Sequence, residues 1–380
     1  MKLFRIRCGK ATLPVSGAST GEIAARTPAV KSRWPARRLC AMLPAGMISP
    51  RLSHLAGLPE RLRRRTGALV VDNFFRGIAR AGMLHPNARP ERHNVEVIRD
   101  IAYRDAGLPE HHLDVYRPVD VAPGSRLPIV LYVHGGGFRI LSKDTHWIMG
   151  LAFARRGFLV FNISYRLAPR YPFPAAVEDA CSALDWVGRN ATEWGGDLDR
   201  LVLAGESAGA NLVTSLAVAT SYERPEPWAR AVFERELRAR AVIAACGLLQ
   251  VSDTGRFRRR WPHMRSFISD RLTEVTEAYL GDPTRHEPSL LDLADPLLLF
   301  ERGERPARPL PPFFAPCGTK DPLLDDTRRL AAALSALGVE CDAQFYPGEL
   351  HAFHALVFRP NARRCWADTY GFLDRHLLGS

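Results

Sequence analysis

The stretch Leu201–Asn211, LVLAGESAGAN, runs from four apolar residues straight into Gly205-Glu206-Ser207-Ala208-Gly209. The apolar run reads as a buried strand, and the residues from Ala208 to Tyr222 read as a helix. A serine between two glycines at a strand-to-helix turn fits the G-x-S-x-G pattern of a nucleophile elbow. Such a turn strains the serine backbone, and small neighbours let strand and helix approach each other. The N-terminus of the following helix also aims N–H groups at any negative charge developing beside the serine. The same five residues fit a plain glycine-bounded turn, so the rest of the chain has to separate the two.

Upstream, in YVHGGGFRI, the segment His134-Gly135-Gly136-Gly137-Phe138 closes another apolar run. Three successive glycines cost backbone entropy and let a ligand approach their N–H groups closely. A phosphate-cradling loop would end in Lys-Ser or Lys-Thr, which is missing. The alternative is an oxyanion hole built from glycine N–H groups and the N–H of Ala208. His134 reads as a residue that orders this loop, and Phe138 is a candidate substrate contact.

A serine hydroxyl needs a base, and the base needs an acid to orient it. On this fold the chain order is serine, acid, histidine. Asp321 follows a strand in FFAPCGTKDPLLDD, and His351 follows the next one in AQFYPGELHAFH. Asp325 and Asp326 compete for the role of acid, and His354 for that of base.

The remaining pattern frames these motifs. VEVIRDIAY and HLDVYRP read as an antiparallel opening pair around the turn DAGLPE. Six further apolar runs follow: LPIVLYVHGG, FLVFNISYRL, DRLVLAG, ARAVIAACGLL, PPFFAPCG and VECDAQFYPG. Helical stretches such as Phe173–Arg189 lie between most of them, which predicts a mostly parallel sheet covered on both faces. Ser221–Ala241 reads as an added helix. Residues 250–308 read as an insertion too long to be a structureless loop. With residues 66–95 it is expected to cap the C-terminal edge of the sheet, where open α/β sheets bind ligands.

HGGGF, YRLAP, FPAAVEDA, GESAG, DPLLDD and GELHAF, in that order, resemble the hormone-sensitive-lipase family of α/β-hydrolases from about Val95 onward. The resemblance implies an α/β-hydrolase fold with a mostly parallel central sheet, helices on both faces and a helical cap. It implies Ser207 as nucleophile, Asp321 as acid and His351 as base. Gly136, Gly137 and Ala208 would then supply the oxyanion N–H groups, with Gly135 shaping the loop. The implied activity is hydrolysis of short- to medium-chain acyl esters, with no metal or organic cofactor. Two positions depart from the family: Glu206 replaces the usual aspartate, and Arg170 follows YRLAP where a glutamate is usual. The first keeps a carboxylate; the second reverses a charge and is expected to alter local pairing. Small-molecule receptors on the same fold are an alternative, but they have lost a triad residue and here all three positions are filled; an amidase or peptidase would share every one of these motifs.

The formal net charge of +12 is confined to the first 65 residues, which hold fourteen Lys or Arg against Glu22 and Glu60. Residues 66–380 carry 38 of each sign, which argues against a nucleic-acid groove. Residues 1–65 read as a basic leader, disordered or targeting, able to make weak contact with an anionic membrane. The Arg-rich stretch GRFRRRWPHMRSF, Gly255–Phe267, reads mainly as a solvated face. Seven widely spaced cysteines without a C-x-x-C pair suggest neither a disulfide framework nor a zinc site, and a reducing, cytoplasmic setting is expected. Those in AACGLL and FFAPCGT read as small buried hydrophobes. Activity is expected to rise with pH through about 6–7, as a histidine base loses its proton.

Overall fold

The computed structural model describes residues 60–104, 107–122 and 124–377. The expected basic leader therefore lies, up to residue 59, outside the described residues. Helix α1 (Glu60–Met83) leads through short 3-10 turns into β1 (Val95–Ala102), which folds back as β2 (His112–Pro118). Next come β3 (Leu127–Val133), α2 (Trp147–Ala154), β4 (Leu159–Ile163), α3 (Ala175–Asn190), β5 (Gly196–Glu206) and α4 (Ala208–Ser221). Helix α5 (Pro227–Glu234) and β6 (Ala239–Ala245) precede α6 (Gly255–Arg260), α7 (Ser266–Tyr279), α8 (Pro288–Leu291) and α9 (Pro296–Glu301). The chain ends with β7 (Phe313–Gly318), α10 (Leu324–Ala336), β8 (Cys341–Tyr346) and α11 (Pro360–Leu377).

All eight expected strands form one sheet in the order β1-β2-β4-β3-β5-β6-β7-β8. Strand β2 runs antiparallel to both neighbours, and every other pairing is parallel. The apolar runs are continuous because side chains alternate between two covered faces. Ile129, Leu131 and Val133 point into a core shared with Val177 and Leu184 of α3 and with Leu212 and Leu216 of α4. Val130 and Tyr132 point the other way, onto Met149 and Phe153 of α2 and Phe372 of α11. Strand β5 repeats the split, with Leu201 and Leu203 on the first face and Val202 and Ala204 on the second. Each such fully buried Val or Leu contributes roughly 1.5–3 kcal/mol.

Ser221–Ala241 departs from the expected single helix: Ser221 ends α4, and beyond it only Pro227–Glu234 is helical. Pro227 sits in the first turn, where its missing N–H costs nothing, and so fixes the start. Glu236, at φ 59°, breaks the helical path, and β6 begins three residues later. The insertion at 250–308 carries α6 to α9 rather than open loop. Its longest helix, α7, packs against α1, where the Gly67 backbone lies close to the Arg271 guanidinium. Among the described residues, no helix is long and apolar enough to cross a membrane.

Candidate active site

Strand β5 ends at Glu206 and α4 begins at Ala208, which leaves Ser207 alone between them at φ 54° and ψ −116°. This is a strained conformation for a residue with a Cβ. It persists because the surroundings hold it. Ser207 N–H donates to the Ala245 carbonyl at 2.9 Å, and Leu248 N–H donates to the Ser207 carbonyl at 3.2 Å. Gly209 lies so close to the end of β3 that a Cβ there would stand 2.0 Å from the Val133 carbonyl oxygen. Asn211 is buried in α4 and donates to the carbonyls of Leu248 and Ala294, tying the elbow to the insertion.

The glycine loop leaves β3 directly beside this serine. A Cβ on Gly135 would meet the Glu206 carbonyl at 3.0 Å and Ser207 Cβ at 3.3 Å. Gly136 has φ 118° and accepts from the N–H groups of Arg139 and Ile140. The N–H groups of Gly136 and Gly137 have no acceptor among the described residues. That of Ala208, at the first position of α4, has no intrahelical acceptor. Free donors of this kind suit an oxyanion. His134 is fully buried and stacks on Tyr165 at 4.2 Å between ring centroids, while Tyr165 donates to the His134 carbonyl. Burial pushes the His134 pKa down to about 3, so it stays neutral and orders the loop. Phe138 is also fully buried, its ring stacked on Tyr279 of α7 at 3.8 Å.

Asp321 and His351 sit on the loops after β7 and β8, adjacent strands of the sheet. His351 Nδ1 lies 2.8 Å from Asp321 Oδ2, and Asp321 is buried while His351 is about one-third exposed at 33 %. Burial works against the imidazolium, but the Asp321 charge overrides it and holds the His351 pKa well above its usual value. Between Ser207 Oγ and His351 the described residues hold no hydrogen bond; such contacts often tighten only around substrate. The Cys246 sulfur lies beside this pair, and its neighbour Ala245 accepts from Ser207 N–H.

The competing residues are otherwise engaged. Asp326 is buried, accepts from Leu249 N–H and pairs with Arg256 at 2.6 Å, while Asp325 pairs with Arg260 at 2.7 Å. Most of Gly255–Phe267 is exposed, as expected of a solvated face, with Phe257 its one buried residue. Arg256, Arg259 and Arg260 are each bonded to a carboxylate, and two of those carboxylates belong to the first turn of α10. His354 Nε2 stands 2.6 Å from Glu206 Oε2 instead of facing an acid beside Ser207 Oγ. Arg170 is exposed over the Tyr171 ring at 5.1 Å.

Two residues at the site escaped sequence reasoning. Cys246, read as a small hydrophobe, places its sulfur with a His351 nitrogen and an Asp321 oxygen within 4.8 Å of one another. Among the described residues this is the grouping able to hold a metal ion, and it draws on the same Asp–His pair. The available signal was position, since Cys246 immediately follows β6 at the sheet edge that carries the other loops. Glu206 was read only as a carboxylate retained. It is buried, with His146 Nε2 at 2.8 Å from Oε1 and His354 Nε2 at 2.6 Å from Oε2.

An eight-stranded, mostly parallel sheet with a strained serine at the turn after β5 defines an α/β-hydrolase fold. Residues 130–355 match the family described as alpha/beta hydrolase fold, and the chain belongs to it. It is 33 % identical over 251 residues to Carboxylesterase NlhH of Mycobacterium tuberculosis, covering 65 % of this chain and 72 % of that one. Esterase LipI of the same organism is 29 % identical over 314 residues, or 80 % of this chain and 85 % of the relative. Among solved structures, esterase LipW from Mycobacterium marinum superposes with a TM-score of 0.62 at 26 % identity, over 80 % of this chain and 88 % of that one. The carboxylesterase EstE1 from a metagenomic library gives 0.63 at 25 %, over 85 % and 99 %.

Proposed function

We propose that the protein is a carboxylic ester hydrolase working through an acyl-enzyme on Ser207. The observation that carries this reading is the 2.8 Å bond from His351 Nδ1 to Asp321 Oδ2, in a chain whose Ser207 sits in a strained strand-to-helix elbow. The names of the relatives, carboxylesterase and esterase, support the same reaction class. Asp321 fixes the tautomer with the proton on Nδ1, leaving Nε2 to accept the Ser207 proton as Oγ attacks the ester carbonyl. The N–H groups of Gly136, Gly137 and Ala208 receive the oxyanion, with Gly135 leaving room for the loop against Ser207. The imidazolium returns its proton to the departing alcohol. Water, activated by the same base, then releases the acid.

Helix α7 is proposed as the cap over this loop, joined there by α1. It lies directly on the loop: a Cβ on Gly137 would meet a Val275 methyl at 2.9 Å, and Glu274 pairs with Arg139. The substrates in this reading are short- to medium-chain acyl esters. The test is hydrolysis of p-nitrophenyl esters from two to twelve acyl carbons by the wild-type and Ser207→Ala proteins. The expected result is hydrolysis of the shorter esters by the wild type alone. Equal rates in both proteins would remove Ser207 from the mechanism.

A further inference from the structure

We propose that Glu206 is a positioning residue, a buried hub that joins the glycine loop, the nucleophile and the base-bearing loop in one fixed arrangement. The inference rests on the ester-hydrolase reading, because it assigns Glu206 a role in that site.

The case is geometric. Glu206 immediately precedes Ser207, and its carboxylate has two partners on different segments. Oε1 meets His146 Nε2 at 2.8 Å, at the end of the 3-10 turn that follows the glycine loop. The His146 ring in turn faces that of His134, 5.4 Å between centroids. Oε2 meets His354 Nε2 at 2.6 Å, three residues beyond His351 on the same loop. Among the described residues, this contact is the one side-chain ion pair or hydrogen bond between the loop 347–359 and β5. The glycine loop also closes over the hub, with the Glu206 side chain 3.2 Å from where a Gly135 Cβ would lie.

Solvation sharpens the argument. A buried carboxylate is costly unless it is paired, so each histidine is held as strongly as the charge needs it. Burial alone would raise the Glu206 pKa, yet the two histidines keep it well below the usual carboxylate range. The carboxylate is therefore a charged group with two partners, a hydrogen bond with His146 and a close ion-pair contact with His354. The second contact constrains the base loop relative to the residue that carries the nucleophile. Misplacement of about 1 Å in such a pair is enough to cost a large factor in rate.

The test compares Glu206→Gln, Glu206→Asp and His354→Ala with wild type. His354→Ala guards against simple misfolding, because Trp366 Nε1 still donates to the residue-354 carbonyl and the Glu206–His146 pair remains. Two readouts are taken: kcat and KM on a p-nitrophenyl ester, and the low-field proton resonance of the His351–Asp321 hydrogen bond. The expected result is a kcat at least tenfold lower in Glu206→Gln and His354→Ala, with KM within threefold. The low-field resonance should shift or broaden in both, and Glu206→Asp should recover most of kcat. Wild-type kcat and an unmoved resonance in both variants would overturn the proposal and leave Glu206 a satisfied buried acid. If the wild type hydrolyses no ester, the ester reading fails, and the resonance alone still decides whether Glu206 positions His351.

Discussion

A Cβ on Gly209 would stand 2.0 Å from the carbonyl oxygen of Val133, so the second glycine of the elbow is required by contact between α4 and β3. The obstacle is backbone, and the neighbouring His134 carbonyl stands at 2.7 Å from the same point. Neither moves without shifting the strand that carries the glycine loop. Gly209→Ala is therefore expected to destabilise the fold by about 3 kcal/mol, the upper end of overpacking costs. It should also lower activity in the fraction that still folds. Urea denaturation midpoints check the first effect, and kcat of the soluble protein the second.

Ser207 stores strain of another kind. At φ 54° and ψ −116° a residue with a Cβ costs of order 1–3 kcal/mol, and glycine avoids most of that. Glycine gives back about 0.5–1 kcal/mol through its unfolded-state entropy. Ser207→Gly should therefore melt about 2 °C above Ser207→Ala, both being inactive. Calorimetry on the two variants measures the difference. Equal melting temperatures would mean the elbow is relaxed in solution.

The acid–base pair sets the pH dependence. The base must be neutral to accept a proton, and His351 holds its proton to a pH well above the usual histidine value. The acidic limb of the kcat/KM profile should accordingly lie above the interval of about 6–7 expected from an unperturbed histidine. Asp321→Asn removes the charge that overrides burial, so the limb should move to lower pH. The rate should fall by roughly 10³–10⁴-fold as the tautomer is lost. Stability follows the opposite sign. A raised histidine pKa contributes stability fully present below about 6.5 and lost as pH rises through the folded-state value. Stability of the wild type minus that of Asp321→Asn, measured by urea denaturation across this range, should shrink toward alkaline pH.

The inner strands were legible because both sheet faces are buried there and their runs are largely apolar, as in Ile129 to Val133. The elbow was legible because its glycines must be glycine. What stayed hidden were pairings between distant residues whose local sequence carries no mark of them. Glu206 meets His146 and His354 across 60 and 148 positions, and Asp326 meets Arg256 across 70. A single buried carboxylate chooses such partners through the fold, so a local pattern shows only that a carboxylate is present. The length of α5 was misread for a different reason. Periodicity ran through Glu236, where the backbone turns to positive φ, and the sequence there offers no glycine to announce it.

Phe138 supplies the remaining test. Sequence reading made it a candidate substrate contact, whereas its ring stacks on Tyr279 at 3.8 Å and 2°. Tyr279 is itself fully buried and also packs edge-on against Phe173, so the stack anchors the end of α7 beside the glycine loop. Truncating a buried Phe to Ala typically costs 3–5 kcal/mol, and Phe138→Ala should lose about that much. Phe138→Leu keeps most of the volume and should cost less than about 1.5 kcal/mol. If the ring's work is to anchor α7, Phe138→Leu should preserve the wild-type order of preference along the p-nitrophenyl ester series, with rates lowered evenly. A changed order of preference would instead put the Phe138 ring against the acyl chain, displacing it from Tyr279 when substrate binds.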